Sequence, residues 1–268
     1  MITFPNAKIN IGLDVTTKRS DGYHEIESCF YPVQWCDILE IIPAEDDRFT
    51  CSGLPVNGNN EDNLVWKAYQ FLKNEYHLPQ VHIHLHKVIP LGAGIGGGSS
   101  DAAFTLKILN SLFNLELTDD TLLEYAGKIG SDCPFFINNS PALVSGTGTD
   151  LIPLSVSLIG KKIILINPQI HISTAEAYAA ITPQPSELNY HDVLAKPVNI
   201  WQRFLKNDFE VYAFEKYPEI GKILSQLYAK GAAYASMTGS GSTVYGIFEN
   251  DLPIIEYSQN YLTWSGNL

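Results

Sequence analysis

Positive charge is scarce in this chain: 17 lysines and arginines stand against 29 aspartates and glutamates, a formal net charge of −12 over 268 residues. A field of that sign repels nucleic-acid backbones and anionic bilayers, so neither a nucleic acid nor a membrane is an expected partner. A small polyanion would have to be captured by local donors and a divalent cation. Cysteine is sparse too. Cys29, Cys36, Cys51 and Cys133 are scattered with no CxxC pair, which favours a reducing compartment. No apolar run is long enough to span a bilayer, and the opening MITFPNAKINIGLDV lacks the basic and apolar blocks of a signal peptide. The chain is expected to be soluble and cytoplasmic, with monomer and homodimer both open. Fixed-period repeats, low-complexity tracts and long charge blocks are also missing. What is present is apolar bulk, 45% of residues against 17% charged, at a length where one core commonly divides into two domains.

The opening segment and residues 36–42 are strand-like, separated by turn residues such as Ser20, Asp21 and Gly22. Residues 63–76 read as an amphipathic helix with Leu64, Ala68, Phe71 and Leu72 on one side, and 81–88 alternates apolar residues with histidine or lysine. A glycine loop and a helix follow. Thr118 and Asp119 open another helix that Gly127 or Gly130 ends, before the compact run SDCPFF. The expected domain boundary lies in LIPLSVSLIG, giving 1–153 and 154–268. Past it, KKIILINP is a buried strand, STAEAYAAI is helical, QPSELNYHD is linker-like, and two helices meet near Pro218. Strands then flank a second small-residue loop, MTGSGSTVYGIF. The fold class is α+β.

The most informative segment is PLGAGIGGGSS, running directly into DAAFTLKILNSLFNL. Gly92, Gly94, Gly96, Gly97 and Gly98 can let main-chain N–H groups approach an anion, and the helix behind adds unpaired N–H groups and the positive end of its dipole. Ser99, Ser100 and Asp101 suit the start of that helix. A P-loop needs Lys then Ser or Thr after its last glycine, and Gly98 is followed by Ser99 and Ser100, so that reading fails. Gly92, Gly94 and Gly97 formally satisfy GxGxxG. A dinucleotide site also requires a second strand ending in an acidic residue, whereas residues 116–124 read as turn and helix. A nicotinamide-dependent oxidoreductase is the competing enzyme class, and a non-catalytic nucleotide binder is a further alternative. His82, His84 and His86 share one strand face, with no fourth ligand at supporting spacing for zinc.

Read together with FPNAKINIGLDV upstream and MTGSGSTVYGIF downstream, PLGAGIGGGSSDAA resembles the three motifs of the GHMP kinases, named for galactokinase, homoserine kinase, mevalonate kinase and phosphomevalonate kinase. The order and spacing span nearly the whole chain. Within that superfamily AKINIGLDV, RSDGYHEIES, DNLVWKA and GSDCPFF look like the branch that phosphorylates a cytidine diphosphate-linked methylerythritol in the non-mevalonate isoprenoid pathway. Another GHMP substrate, a mevalonate or a sugar, is the nearest alternative. The resemblance implies a ribosomal protein S5 domain 2-like N-terminal domain for ATP binding and catalysis, and a ferredoxin-like C-terminal domain.

It also implies roles. ATP would be held by Asn63 at its adenine end and by Pro90, Leu91, Gly92, Ala93, Gly94, Ile95, Gly96, Gly97, Gly98, Ser99 and Ser100 along its phosphates. Ser99 or Ser100 could reach Mg²⁺, although spacing alone does not identify the metal's ligands. Asp132 would be the general base toward the acceptor hydroxyl, with Lys8 beside it to keep it ionised and offset charge. From composition alone Asp132 reads as a helix-terminus or turn residue and Lys8 as a surface lysine on an edge strand. Asn10, Tyr23 and His24 would contact the cytidine substrate, Tyr178 is the candidate to stack on cytosine, and Thr238, Gly239, Ser240 and Gly241 would close over the site. Asn63 could also be a plain helix cap, Tyr178 a core residue, and the second loop a tight hairpin.

Overall fold

A computed structural model describes residues 1–56 and 58–268. In chain order its strands are β1 (Ile2–Thr3), β2 (Asn6–Lys18), β3 (His24–Cys36), β4 (Ile38–Pro43), β5 (Arg48–Gly53), β6 (Val81–Lys87), β7 (Ala142–Ser145), β8 (Asp150–Pro153), β9 (Lys162–Asn167), β10 (Tyr234–Met237), β11 (Val244–Phe248) and β12 (Leu262–Asn267). The α-helices are α1 (Leu64–Tyr76), α2 (Gly97–Leu112), α3 (Asp119–Ile129), α4 (Cys133–Asn138), α5 (Thr174–Ala179), α6 (Tyr190–Leu194), α7 (Val198–Trp201), α8 (Glu210–Lys216) and α9 (Pro218–Ala229). They fall into two compact units. One comprises Met1–Ala7, Trp35–Leu91 and Gly96–Ser140; the other comprises Lys8–Gln34, Gly92–Ile95 and Pro141–Leu268.

In the first unit the sheet order is β1-β4-β6-β5, antiparallel except for the parallel β5–β6 pair. A parallel pair needs a crossover, and α1 supplies it. Alternation along β6 buries Val81, Ile83, Leu85 and Lys87 and leaves His82, His84 and His86 on the other face. Those histidines bond to Asp46, Thr50 and Ser52. The buried face of α1 (Val65, Ala68, Tyr69, Leu72) packs beside α2, whose Ala102, Leu106 and Leu109 are fully buried. SDCPFF, read as a compact run, is helical: Pro134 stands in the first turn of α4, where its missing N–H costs nothing.

The second unit holds two sheets, β2-β3-β7-β8 and the wholly antiparallel β10-β11-β9-β12. Helices α8 and α9 pack together, α9 lies on β10 and β11, and Ile220, Ile223 and Leu227 of α9 join Ile164, Ile166, Met237 and Val244 in one core. The linker-like 184–192 is irregular as far as Asn189, whose side chain caps α6. Strand β2 is buried for ten consecutive residues. Ala7, Ile9, Ile11, Leu13 and Val15 form one face by their period of two; the opposite face carries Asn6, Lys8, Asn10, Gly12 and Asp14, equally out of water. A buried polar face is costly unless every group finds a partner, which marks this strand for function. Among the described residues no helix is long and apolar enough to cross a membrane.

Candidate functional site

Beyond β6 the backbone alternates into left-handed conformations at Gly92, Gly94 and Gly96 (φ +61°, +77° and +70°) before α2 begins at Gly97. The residue capping α2 is Gly96, which has no side chain to satisfy the first-turn N–H groups, so a 16-residue helix starts with its amides and dipole unspent on a cap. The helix begins earlier than Ser99, Ser100 and Asp101 suggest: Gly97 and Gly98 already adopt helical angles, and the three polar residues lie within the first turns. Ser99 is half-buried. Ser100 is wholly buried and its Oγ makes no hydrogen bond among the described residues.

Asp101 turns into the protein, where its Oδ2 accepts from Lys87 Nζ at 2.8 Å, and the same ammonium donates to Asp37. Lysine and both carboxylates are excluded from water. Asp37 Oδ1 also accepts the backbone N–H groups of Val88 and Ile89, at 2.5 and 2.8 Å, so one carboxylate holds both the lysine and the backbone that leads to the glycine loop. Burial lowers the Lys87 pKa, but Asp101 and then Asp37 outweigh it and the balance lies above the ordinary lysine value. Burial raises Asp101; Lys87 opposes this and Asp37 adds to it, leaving Asp101 at about 7. Helix and strand meet closely here: a Cβ on Gly97 would stand 2.7 Å from Ile89 Cγ2 and 3.1 Å from Lys87 Nζ.

In the second unit Lys8 and Asn10, two apart on β2, share the buried polar face. Lys8 Nζ donates to Asn10 Oδ1 at 2.7 Å and lies 4.1 Å from the centre of the Phe30 ring. Lys8 is 3% exposed, so it is no surface lysine. Asn10 Oδ1 also accepts from Thr238 Oγ1 at 3.2 Å and from the Gly239 N–H at 3.1 Å, while its backbone N–H donates to Thr238 Oγ1 at 3.0 Å. Thr238 Oγ1 reaches Gly94 O at 3.0 Å. These bonds bring the second small-residue loop onto Gly92–Ile95. The approach is too close for side chains: a Cβ on Gly94 would fall 2.1 Å from Thr238 O, and one on Gly239 2.9 Å from Gly94 Cα. Asn207 holds the second loop from another side, donating to Met237 O and Gly239 O. Ser240 Oγ meets Thr174 Oγ1 at 3.1 Å, and Gly241 adopts a left-handed φ of +96°.

His24 stacks on Tyr178 with ring centres 4.9 Å apart and planes 20° from parallel, and Tyr178 and Phe209 lie nearly perpendicular at the same separation. Partial burial, then the Lys18 charge, lowers the His24 pKa and favours the neutral ring. Tyr23 stands exposed in the preceding turn. In the first unit Asn63 caps α1, its Oδ1 accepting from the Val65 N–H at 2.9 Å. Asp132 occupies the cap position of α4 without making a side-chain cap bond, so the plain capping role is not the one it fills. Next to it burial pushes the Cys133 thiol up to about 12, with Ser99 in hydrogen-bonding contact and pulling the other way.

The residues that sequence reasoning missed are Asp37 and Lys87, Ser28 beneath Asn10, and Asn207. Lys87 carried a signal: it falls in the apolar phase of the β6 alternation, where a lysine must be buried and paired. Among the described residues no group of three or more His, Cys, Asp or Glu is placed to hold a metal.

Known proteins resemble this chain in sequence and fold. The family models described as GHMP kinases N terminal domain and GHMP kinases C terminal match residues 63–140 and 191–256. A protein of Bacteroides thetaiotaomicron named 4-diphosphocytidyl-2-C-methyl-D-erythritol kinase is 50% identical over the full length of both chains. One of the same name from Cytophaga hutchinsonii is 53% identical over 92% of each. A crystal structure of 4-(cytidine 5'-diphospho)-2C-methyl-D-erythritol kinase superposes with a TM-score of 0.79 at 30% identity, covering 92% of this chain and 90% of its own.

Proposed function

The chain belongs to the GHMP kinases, and from that membership we propose that it transfers the γ-phosphate of ATP to the 2-hydroxyl of 4-diphosphocytidyl-2-C-methyl-D-erythritol, a kinase step of the non-mevalonate route to isoprenoid precursors. The observation that carries the reading is the uncapped start of α2 behind three left-handed glycines. Unspent amides at a helix start are donors for phosphate. The relatives' shared name, over full-length identity near one half, supports the acceptor. The two family matches, at 63–140 and 191–256, support an N-terminal and a C-terminal domain with the division between them, an interval that includes 153/154.

Phosphoryl transfer needs positioning and charge compensation more than covalent help. We assign the triphosphate to the amides of residues 90–100 and the adenine end to the neighbourhood of Asn63, whose side chain also caps α1. Mg²⁺ would supply charge neutralisation across the phosphate oxygens and would take few protein ligands. Of the two adjacent serines, half-exposed Ser99 fits that role, because Ser100 Oγ is sealed from solvent and Asp101 is paired with Lys87. Asp132 accepts the proton of the acceptor hydroxyl, and the Lys8 ammonium offsets charge on the transferring group. Asn10, Tyr23, His24, Tyr178 and residues 238–241 serve the acceptor side. His24 and Tyr178 present a paired aromatic surface of the kind that receives a pyrimidine face, with neutral His24 able to donate or accept at the ring edge.

The test is ADP release across a panel of acceptor alcohols that includes the cytidine diphosphate compound. Turnover on that compound, abolished in Asp132→Asn with MgATP protection against thermal unfolding retained, is the expected result. Turnover confined to another alcohol would replace the acceptor, and protection by NAD in place of MgATP would overturn the kinase reading.

A further inference from the structure

Asn10 is the centre of the buried polar face, and its amide has a direction. The Ser28 hydroxyl, wholly buried on β3, gives its one proton to Gly12 O at 2.6 Å. That leaves Ser28 Oγ as an acceptor, 2.9 Å from Asn10 Nδ2. The NH₂ end of the amide must therefore face Ser28, and the carbonyl end must face the other way. There it receives the Lys8 ammonium and the Gly239 N–H, with Thr238 Oγ1 3.2 Å away. The reversed amide would turn N–H donors toward the Lys8 ammonium and the Gly239 N–H in place of the carbonyl that now accepts from both. Gly12 O thus directs the Ser28 proton, Ser28 accepts from the NH₂ end of the amide, and the carbonyl end accepts from the ammonium that lies above Phe30.

We infer that Ser28 is a positioning residue for phosphoryl transfer, acting through Asn10 to aim the Lys8 ammonium and to hold the second glycine loop. The inference rests on the role given to Lys8 above. It predicts a specific kinetic pattern. Loss of the acceptor at position 28 takes the buried partner from the Asn10 NH₂ and loosens the carbonyl that accepts from the ammonium and the Gly239 N–H, which affects the step where charge moves and not the binding of nucleotide.

The experiment measures ADP release with the full chain as Ser28→Ala, Ser28→Thr and Lys8→Met. Expected is a fall in kcat of about tenfold or more for S28A with KM for ATP changed by less than about twofold, and recovery of most of that loss in S28T, which restores a hydroxyl acceptor. If S28A does not fold, Ser28→Cys keeps the volume with only a weak acceptor and carries the same expectation. A kcat within about twofold of the parent for whichever of these variants folds, or an S28T as slow as S28A, overturns the inference. Failure of the underlying reading looks different: K8M then turns over normally, and Lys8 needs no aiming. An inactive K8M beside a normal S28A sinks only the role of Ser28.

Discussion

Replacing Asp37 with alanine is the most demanding test of the physics around the glycine loop. Asp37 is fully buried and accepts from Lys87 Nζ and from the N–H groups of Val88 and Ile89. Its removal breaks a buried ion pair, which typically costs about 3–5 kcal/mol. It also strands two backbone donors at about 1–3 kcal/mol each. These losses belong to one network and do not simply add, because Lys87 keeps Asp101 and the vacated space can relax. A net loss of about 4 kcal/mol is the reasonable figure, a large part of the roughly 5–15 kcal/mol that holds a domain together. For a chain of this length each kcal/mol moves Tm by about 2–4 °C, so D37A should melt about 10 °C lower. Differential scanning calorimetry at pH 8, where Asp101 is ionised, reads the shift directly. Asp46→Ala is the control: it removes exposed bonds to Arg48 and His82 and should leave Tm unchanged. A D37A shift under about 3 °C would refute the claim that this carboxylate clamps β6 to the loop.

Asp101 adds a pH dependence of defined sign. Its carboxyl, raised to about 7 by burial against the ordinary 3.8, keeps a proton in the folded chain that the unfolded chain has already lost. Its contribution is full below about pH 4 and gone above about pH 7, so Asp101→Asn should flatten the decline in Tm over that interval; an unchanged slope speaks against it. Gly94→Ala should cost both stability and catalysis, since its Cβ would overlap Thr238 O at 2.1 Å in a left-handed backbone. Calorimetry and KM for ATP measured on the same sample check it, and parental values for both would contradict the close approach. Tyr178→Ala should raise KM for the cytidine substrate while sparing KM for ATP; equal effects on both would place Tyr178 outside the acceptor side. His24, its pKa lowered, should keep that KM flat down through pH 6.5, and a rise already above this pH would contradict a neutral ring.

Periodicity and glycine placement made much of this architecture legible. Residues 81–88 alternate, and β6 forms there; 63–76 repeat with helical spacing, and Asn63 caps α1. The start of α2 was less legible because serine and aspartate favour helix starts in general, whereas here two glycines tolerate helical angles and Asp101 is drawn inward by Lys87. Lys8 read alone is an ordinary lysine. Only the burial of both faces of β2 sets it against Phe30 and Asn10, and covering a strand is a tertiary event that a linear pattern does not carry. Asp37 stands 50 residues from Lys87, with nothing local to connect them.

The contact between Gly94 and residues 238–241 leaves no slack. Main chain rests on main chain there, without the flexible side-chain tips that let neighbouring loops slide independently. The two segments therefore behave as a single mechanical part. Any widening at Gly94 must carry Thr238 and Gly239 along, and a substitution in either segment should displace the other.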